Sequence, residues 1–91
     1  MEQKHYTYML LCSDNTLYCG YTTKPRERER THNSGTGAKY TRCRLPVKMV
    51  YCESSNTKSE AMKRECAIKK LTRAKKIELI NSSLNIIESL K

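Results

Sequence analysis

Three residues, Ser13-Asp14-Asn15, separate two runs of strand character, 5–12 and 16–21, and restrict how those runs can pair. A three-residue hairpin loop uses a type I turn followed by a residue in the left-handed region, a conformation that asparagine tolerates. The register follows: Cys12 opposes Thr16, Leu10 opposes Tyr18 and Tyr8 opposes Gly20. Directly opposed residues share a face, so Tyr8 and Tyr18 are diagonal neighbours on one face of the predicted hairpin. A two-residue loop would send them to opposite faces.

The rest of the chain reads as an alternation of helices with one more strand. Thr23 is a candidate cap for a first helix; the alternative start is Lys24-Pro25, with Pro25 at the first helical position. This helix runs to about Asn33, and Ser34-Gly35-Thr36-Gly37 ends it, with Gly35 suited to the left-handed cap. Residues 38–45 read as a basic loop, and Val47 to Glu53 as the third strand. Thr57 or Ser59 caps the second helix, with Glu60 three residues after Thr57 as in a capping box. It extends to about Leu71, and Thr72 caps a third helix from about Arg73 to Ile80. Residues 83–91, with apolar Leu84, Ile87 and Leu90, fit either a short docked helix or a flexible tail. The order β-β-α-β-α-α predicts an α+β domain over 1–82: a small three-stranded antiparallel sheet flanked by helices.

Ninety-one residues make one small domain, and a chain of that length buries only about 60–65% of its unfolded surface. With neither Trp nor Phe, its core has to come from Leu, Ile, Val, Met, Cys and Tyr. Eighteen Lys and Arg against nine Asp and Glu give a formal charge of +9. That balance favours polyanionic partners such as DNA, RNA or an acidic membrane surface; the bland alternative is well-solvated helix faces. The charge is concentrated: residues 21–44 carry seven basic and two acidic side chains, and residues 58–76 carry eight and two. Five cysteines without a C-x-x-C pair exclude zinc spacing and a complete disulfide framework. Cys12, Cys19 and Cys52 read as small apolar groups in strand-like segments, which points to a reducing, cytoplasmic setting. Met1-Glu2-Gln3-Lys4-His5 leads into an apolar run, Tyr8 to Cys12, too short for a signal peptide or a membrane span.

Several side chains are out of place unless they do chemistry. Glu65 lies on the apolar stripe Ala61, Ile68, Leu71 of the second helix, and a carboxylate facing a core is costly unless paired or bound to a cation. It is either a salt-bridge partner of Arg64, Lys69 or Arg28, or an oxygen ligand for a hard cation such as Mg²⁺ or Mn²⁺. Arg28 and His32 are one helical turn apart. They read as a solvated face among Arg26 and Arg30, or as a phosphate clamp beside a proton relay. Tyr8 and Tyr18 are ordinary strand aromatics or positioners of water. A tyrosine acting as a base would need its pKa lowered from 10 by roughly three units, or about 4 kcal/mol. The stretch Gly35 to Arg42 lacks nucleotide-loop spacing. Lys39, Arg42 and Arg44 there read as backbone-phosphate contacts and Tyr40 as a stacking platform, with Tyr21 and Arg26 as further nucleic-acid contacts.

The ordered set Tyr6-Thr7-Tyr8, Tyr18-Cys19-Gly20, Arg28, His32 and Glu65 resembles the active site of a GIY-YIG nuclease domain, over roughly residues 5–80. More narrowly, the chain is similar to the short stand-alone bacterial members. That likeness is carried by Leu17-Tyr18-Cys19-Gly20-Tyr21-Thr22, His32-Asn33-Ser34-Gly35, Ala38-Lys39-Tyr40-Thr41-Arg42 and Ala61-Met62-Lys63-Arg64-Glu65. It departs from the pattern at Tyr6, where glycine is usual, and at Cys19, where an aliphatic residue is usual; neither change removes a catalytic side chain. The resemblance implies that Tyr8 and Tyr18 are the motif tyrosines, Arg28 the catalytic arginine and Glu65 the metal-binding glutamate. Tyr21 or His32 would assist the nucleophile. The implied reaction is a one-metal, in-line attack of water on a phosphodiester, with Mg²⁺ or Mn²⁺ as cofactor and DNA ahead of RNA as substrate. Larger relatives carry a second, DNA-choosing domain. In its absence selection falls to this domain, a homo-oligomer or a targeting partner protein. Two rivals remain: a weakly active or non-catalytic nucleic-acid-binding module, and an interaction protein for an acidic partner.

Overall fold

Residues 4–90 are described by a computed structural model, in which strands β1 (His5–Leu11) and β2 (Leu17–Thr22) form the expected hairpin. The first three residues of the expected polar N-terminal lead-in lie outside the described residues. Asn15 adopts φ 69° and its N–H donates to the Cys12 carbonyl at 2.9 Å, while the Cys12 N–H donates to Thr16 at 2.9 Å. The Asp14 carboxylate accepts from the Thr16 N–H and hydroxyl at 3.1 and 2.6 Å, which stiffens the loop. Tyr8 pairs with Gly20 and Leu10 with Tyr18, the register that the turn chemistry predicts.

The chain continues through α1 (Pro25–Asn33), a short α2 (Lys39–Arg42), β3 (Lys48–Ser55), α3 (Lys58–Lys69) and α4 (Arg73–Ile80), and ends in a 3₁₀ turn, Ile87–Ser89. Helix α1 starts at Pro25, with Lys24 and not Thr23 at the cap position. The expected loop over 38–45 contains one helical turn, α2, whose Thr41 is fully buried. A single turn carries too few residues to show helical periodicity in sequence. Thr57 and Thr72 cap α3 and α4, their hydroxyls accepting from the N–H groups of Glu60 and Lys75. Helix α3 stops at Lys69, short of the expected Leu71, which is exposed.

The sheet is antiparallel in the order β2-β1-β3, so β2 is an edge strand. Strand β3 runs further than expected, and it bulges: Met9 pairs with Tyr51 but Leu10 pairs with Met49. The extra residue, Val50, lets Met49 and Tyr51 serve opposite faces, where a regular strand would hold them on one. One face carries Tyr8, Leu10, Cys12, Val47, Met49 and Cys52. Helix α1 docks there: the Glu29 carboxylate accepts from the Met49 N–H at 2.7 Å, and the Asn33 amide brackets both backbone groups of Val47. The other face carries Met9, Cys19 and Tyr51 under Ile68 of α3, with the Thr7 hydroxyl donating to the Ala61 carbonyl at 2.9 Å.

The C-terminal segment docks on the first face through Ile86, Ile87 and Leu90. Asn85 holds it, donating to the Val50 and Ile80 carbonyls and accepting from the Cys52 and Ile87 N–H groups. Among the described residues no helix is long and apolar enough to cross a membrane. Because Asn15 holds a left-handed conformation, Asn15→Gly should leave the urea midpoint in place. Asn15→Ala should lower the unfolding free energy by about 1 kcal/mol, read from the same urea curves.

Candidate functional site

The site begins with a missing side chain. A Cβ at Gly20 would stand 2.5 Å from the Tyr8 hydroxyl oxygen, so only glycine lets the Tyr8 ring cross β2 at that point. Tyr8 is 1% exposed. Its hydroxyl meets His32 Nε2 of α1 at 2.9 Å, and His32 Nδ1 meets the Thr41 hydroxyl of α2 at 2.9 Å. Three elements therefore converge on one buried imidazole. Tyr18 packs edge-on to the same imidazole, ring centroids 5.4 Å apart, and stacks on Tyr40 at 5.8 Å. Tyr40 is 38% exposed and carries the Arg44 guanidinium 3.9 Å from its ring centroid.

Arg28 lies one turn before His32 and is half-buried. Its neighbours on α1 are paired, Glu27 with Lys24 and Glu29 with Arg26, but among the described residues Arg28 forms no salt bridge. It lines a shallow depression of about 200 Å³ with Thr22, Thr23, Lys24, Glu27 and Thr31. Burial pushes the Tyr8 phenol up to about 12, against the pull of the Arg28 guanidinium. Burial, reinforced by the Arg28 charge, holds the His32 imidazole down to about 4. At neutral pH the pair is therefore an uncharged phenol and an uncharged imidazole, next to a permanent cation with no carboxylate partner among the described residues.

Other expected site residues lie elsewhere. Glu65 is on α3, which covers the face opposite to Tyr8 and Tyr18; its own carbonyl is 3.9 Å from the Cys19 thiol. Glu65 thus projects from a helix on the face opposite to that of Tyr8 and Tyr18. Glu65 instead flanks edge strand β2 from behind, its carboxylate 16% exposed and loosely paired with Lys69 at 3.7 Å. Tyr21 also faces away from Tyr8, hydrogen-bonded to His5 Nδ1 at 2.7 Å, so His32 and not Tyr21 reaches the phenol. Arg26 is turned toward the C-terminal segment, bound to Glu29 and to the carbonyls of Ile87 and Leu90. Arg44 is engaged by Asp14 at 2.9 Å and by the Tyr40 carbonyl at 2.7 Å. Lys39 and Arg42 are exposed and, among the described residues, without salt bridges. A larger cavity of about 470 Å³ between α1, β3 and the C-terminal segment includes none of Tyr8, Tyr18, Arg28 or His32.

Among the described residues no group of three or more His, Cys, Asp or Glu could hold a metal. Glu65 alone fits a hard cation only as one ligand, with phosphate oxygens and water completing the shell. Two residues that the sequence did not single out, Thr41 and Gly37, close around His32. Gly37 carries only the signal of a glycine-rich stretch, and Thr41 that of the family-like run Ala38 to Arg42, neither of which points to His32.

Residues 4–78 match the GIY-YIG catalytic domain family. A UPF0213 protein of Streptococcus agalactiae is 54% identical over 80 residues, covering 88% of this chain and 91% of that one. A UPF0213 protein of Natronomonas pharaonis is 52% identical over 80 residues, covering 88% of this chain and 94% of that one. Among solved structures, a UPF0213 protein of Bacillus halodurans superposes with TM-score 0.58 at 42% identity, covering 93% of this chain and 90% of the other. A protein of E. faecalis superposes with TM-score 0.59 at 52% identity, covering 89% and 88%. Both are solution NMR structures.

A histidine whose folded pKa lies below its unfolded value binds more protons when unfolded. Its contribution to stability is complete above about 6.5 and is lost as pH falls toward about 4. For His32 the shift from 6.5 to about 4 corresponds to at most about 3 kcal/mol. The His32 ring should stay neutral by NMR at pH 5.5, while urea unfolding weakens between these limits. A ring half-protonated near pH 6 would contradict the burial argument.

Proposed function

The chain belongs to the GIY-YIG catalytic domain family, a nuclease superfamily, and from that premise we propose that it is an endonuclease hydrolysing phosphodiester bonds in DNA. The observation that supports this most is the Arg28 guanidinium beside the Tyr8–His32 pair, free of any carboxylate partner among the described residues. In this reading Arg28 grips two non-bridging oxygens of the scissile phosphate and stabilises the negative charge that grows on them. Tyr18, the half-buried phenol, orients the attacking water. Tyr8 is the buried phenol behind it, and its high pKa makes it a positioning group and not a resting-state base. The water oxygen bonds to phosphorus as the bond to the leaving oxygen breaks. The proton given up by the water leaves to solvent, and the leaving oxygen is protonated from solvent.

Glu65 would hold the Mg²⁺ or Mn²⁺ ion together with the phosphate, and such an ion supplies Lewis-acid stabilisation and a more acidic bound water. Because Glu65 approaches β2 from one side and Arg28 from the other, the substrate backbone would lie along the outer edge of that strand. Exposed Lys39 and Arg42 would take neighbouring phosphates, with little sequence preference. One observation favours a second reading, a nucleic-acid-binding module with little cleavage: the Glu65 carboxylate is engaged by Lys69 at 3.7 Å, as an ion-pair partner would be.

Arg28→Ala should fold normally and lose cleavage of a supercoiled plasmid or branched oligonucleotide by at least about a hundredfold, the scale of one electrostatic catalytic group. Glu65→Gln should also lose cleavage while its stability changes by less than about 1 kcal/mol, because Lys69 is 53% exposed and the pair is worth little. A parent protein inert on both substrates with Mg²⁺ or Mn²⁺ would favour the binding-module reading. Duplex DNA affinity should fall with salt, each neutralised phosphate contributing about −0.9 to the slope of log affinity against log salt. A flat salt titration would remove nucleic acid as the partner.

A further inference from the structure

The buried hydrogen bonds around His32 have only one direction in which every contact holds a proton. The Ala38 carbonyl can only accept, and the Thr41 hydroxyl lies 2.9 Å from it, so that hydroxyl donates there. Its single proton thus engaged, the Thr41 oxygen must accept from His32 Nδ1, also 2.9 Å away. The imidazole then carries its proton on Nδ1, and Nε2 is a bare acceptor for the Tyr8 hydroxyl at 2.9 Å. The opposite tautomer would reverse each bond and leave the Thr41 oxygen against the Ala38 carbonyl with no proton between them. The Ala38 carbonyl also accepts from the Thr41 N–H at 3.1 Å, so the cost of that tautomer is the close approach of two oxygens beside a fully buried imidazole.

Backbone packing holds the ring in place for this exchange. A Cβ at Gly37 would stand 2.6 Å from His32 Nδ1 and 2.8 Å from the His32 Cα, the latter unable to move aside. The loop before α2 therefore lies directly on the histidine and presents Thr41 to it. Tyr18 packs edge-on to the same ring at 61°, closing a further side.

We infer that Thr41 is a positioning residue: it selects the Nδ1-protonated tautomer of His32, turns the Tyr8 hydroxyl proton toward Nε2, and so leaves the lone pairs of the Tyr8 oxygen free to accept from a further donor. The consequence for cleavage rests on the endonuclease reading; the tautomer does not. Tyr8 in this state can receive an N–H from the guanidinium and aim it. With the chain reversed, the Tyr8 oxygen accepts from His32 and its own proton points toward the cation, an unfavourable arrangement.

The test uses the whole chain, ¹⁵N-labelled at histidine and free of nucleic acid. Ring NMR of the parent should show His32 protonated at Nδ1 only, and Thr41→Ser, which keeps the hydroxyl, should show the same. Thr41→Val, similar in shape but without the hydroxyl, should shift His32 to the Nε2-protonated form. A parent protonated at Nε2 overturns the inference, as does a folded Thr41→Val that keeps the parental tautomer. Should Thr41→Val fail to fold, the parent and Thr41→Ser spectra still decide the tautomer. In a cleavage assay Thr41→Val should lose at least about tenfold, a fraction of what a proton-handling group contributes, and Thr41→Ser should retain activity. Equal cleavage by parent and a tautomer-shifted Thr41→Val would overturn the positioning role. An inactive parent with the expected tautomer would instead count against the endonuclease reading alone.

Discussion

The hydrogen bond between Tyr8 and His32 joins the two halves of this molecule. Tyr8 belongs to the central strand of a three-stranded sheet, and His32 to the helix that follows the edge strand. Without a side chain at position 20 the phenol crosses the edge strand and meets the helix; with one, it could not lie there. The contact also sets the electrostatics of the face. It buries two titratable groups in their neutral forms and leaves the Arg28 charge as the one that a ligand meets.

Charge is distributed by a similar logic. The chain carries a formal charge of +9, but several of its cations are bound internally. Arg26 ties the C-terminal segment to α1, Arg44 ties α2 to the hairpin loop, and Arg64 ties α3 to β3 through the Glu53 carboxylate at 2.7 and 2.8 Å. Each of these arginines makes several directed bonds, a use that suits the planar guanidinium. Removing them from the phosphate-binding inventory leaves Arg28, Lys39 and Arg42 among the cations of α1 and α2 that form no salt bridge with the described residues.

What could be read from the sequence was what local chemistry determines. The hairpin register depends on three loop residues and one left-handed asparagine, so pairing across the strands is legible in those residues alone. The caps at Thr57 and Thr72 are legible for the same reason. Glu65 marks where that reasoning stops. Its helical stripe says that it turns toward the sheet, and Ala61 and Ile68 on that stripe are indeed buried. A stripe does not say which side of the sheet the helix covers; the chain's path after β3 decides that. The role of Thr41, a residue within one of the family-like stretches, was not legible for a related reason. Its partner is nine residues away on another element, and a threonine in a basic, glycine-led stretch carries no periodic signal.

The opposed placement of Glu65 and Arg28 has a geometric consequence for the proposed chemistry. Glu65 and Arg28 belong to helices on opposite faces of the sheet, and the sheet margin beside Glu65 is β2. A compact small molecule seated on the phenol face would reach Arg28 and miss Glu65. An extended polyanion lying along the margin could contact both, one phosphate oxygen on each side. Gly20, the residue that admits the Tyr8 ring, lies within β2 and adds no side chain to this margin. Under the proposed function, one missing side chain thus serves two ends: it lets the phenol through to His32, and it brings a backbone phosphate close enough to the strand for groups on both faces to act on it.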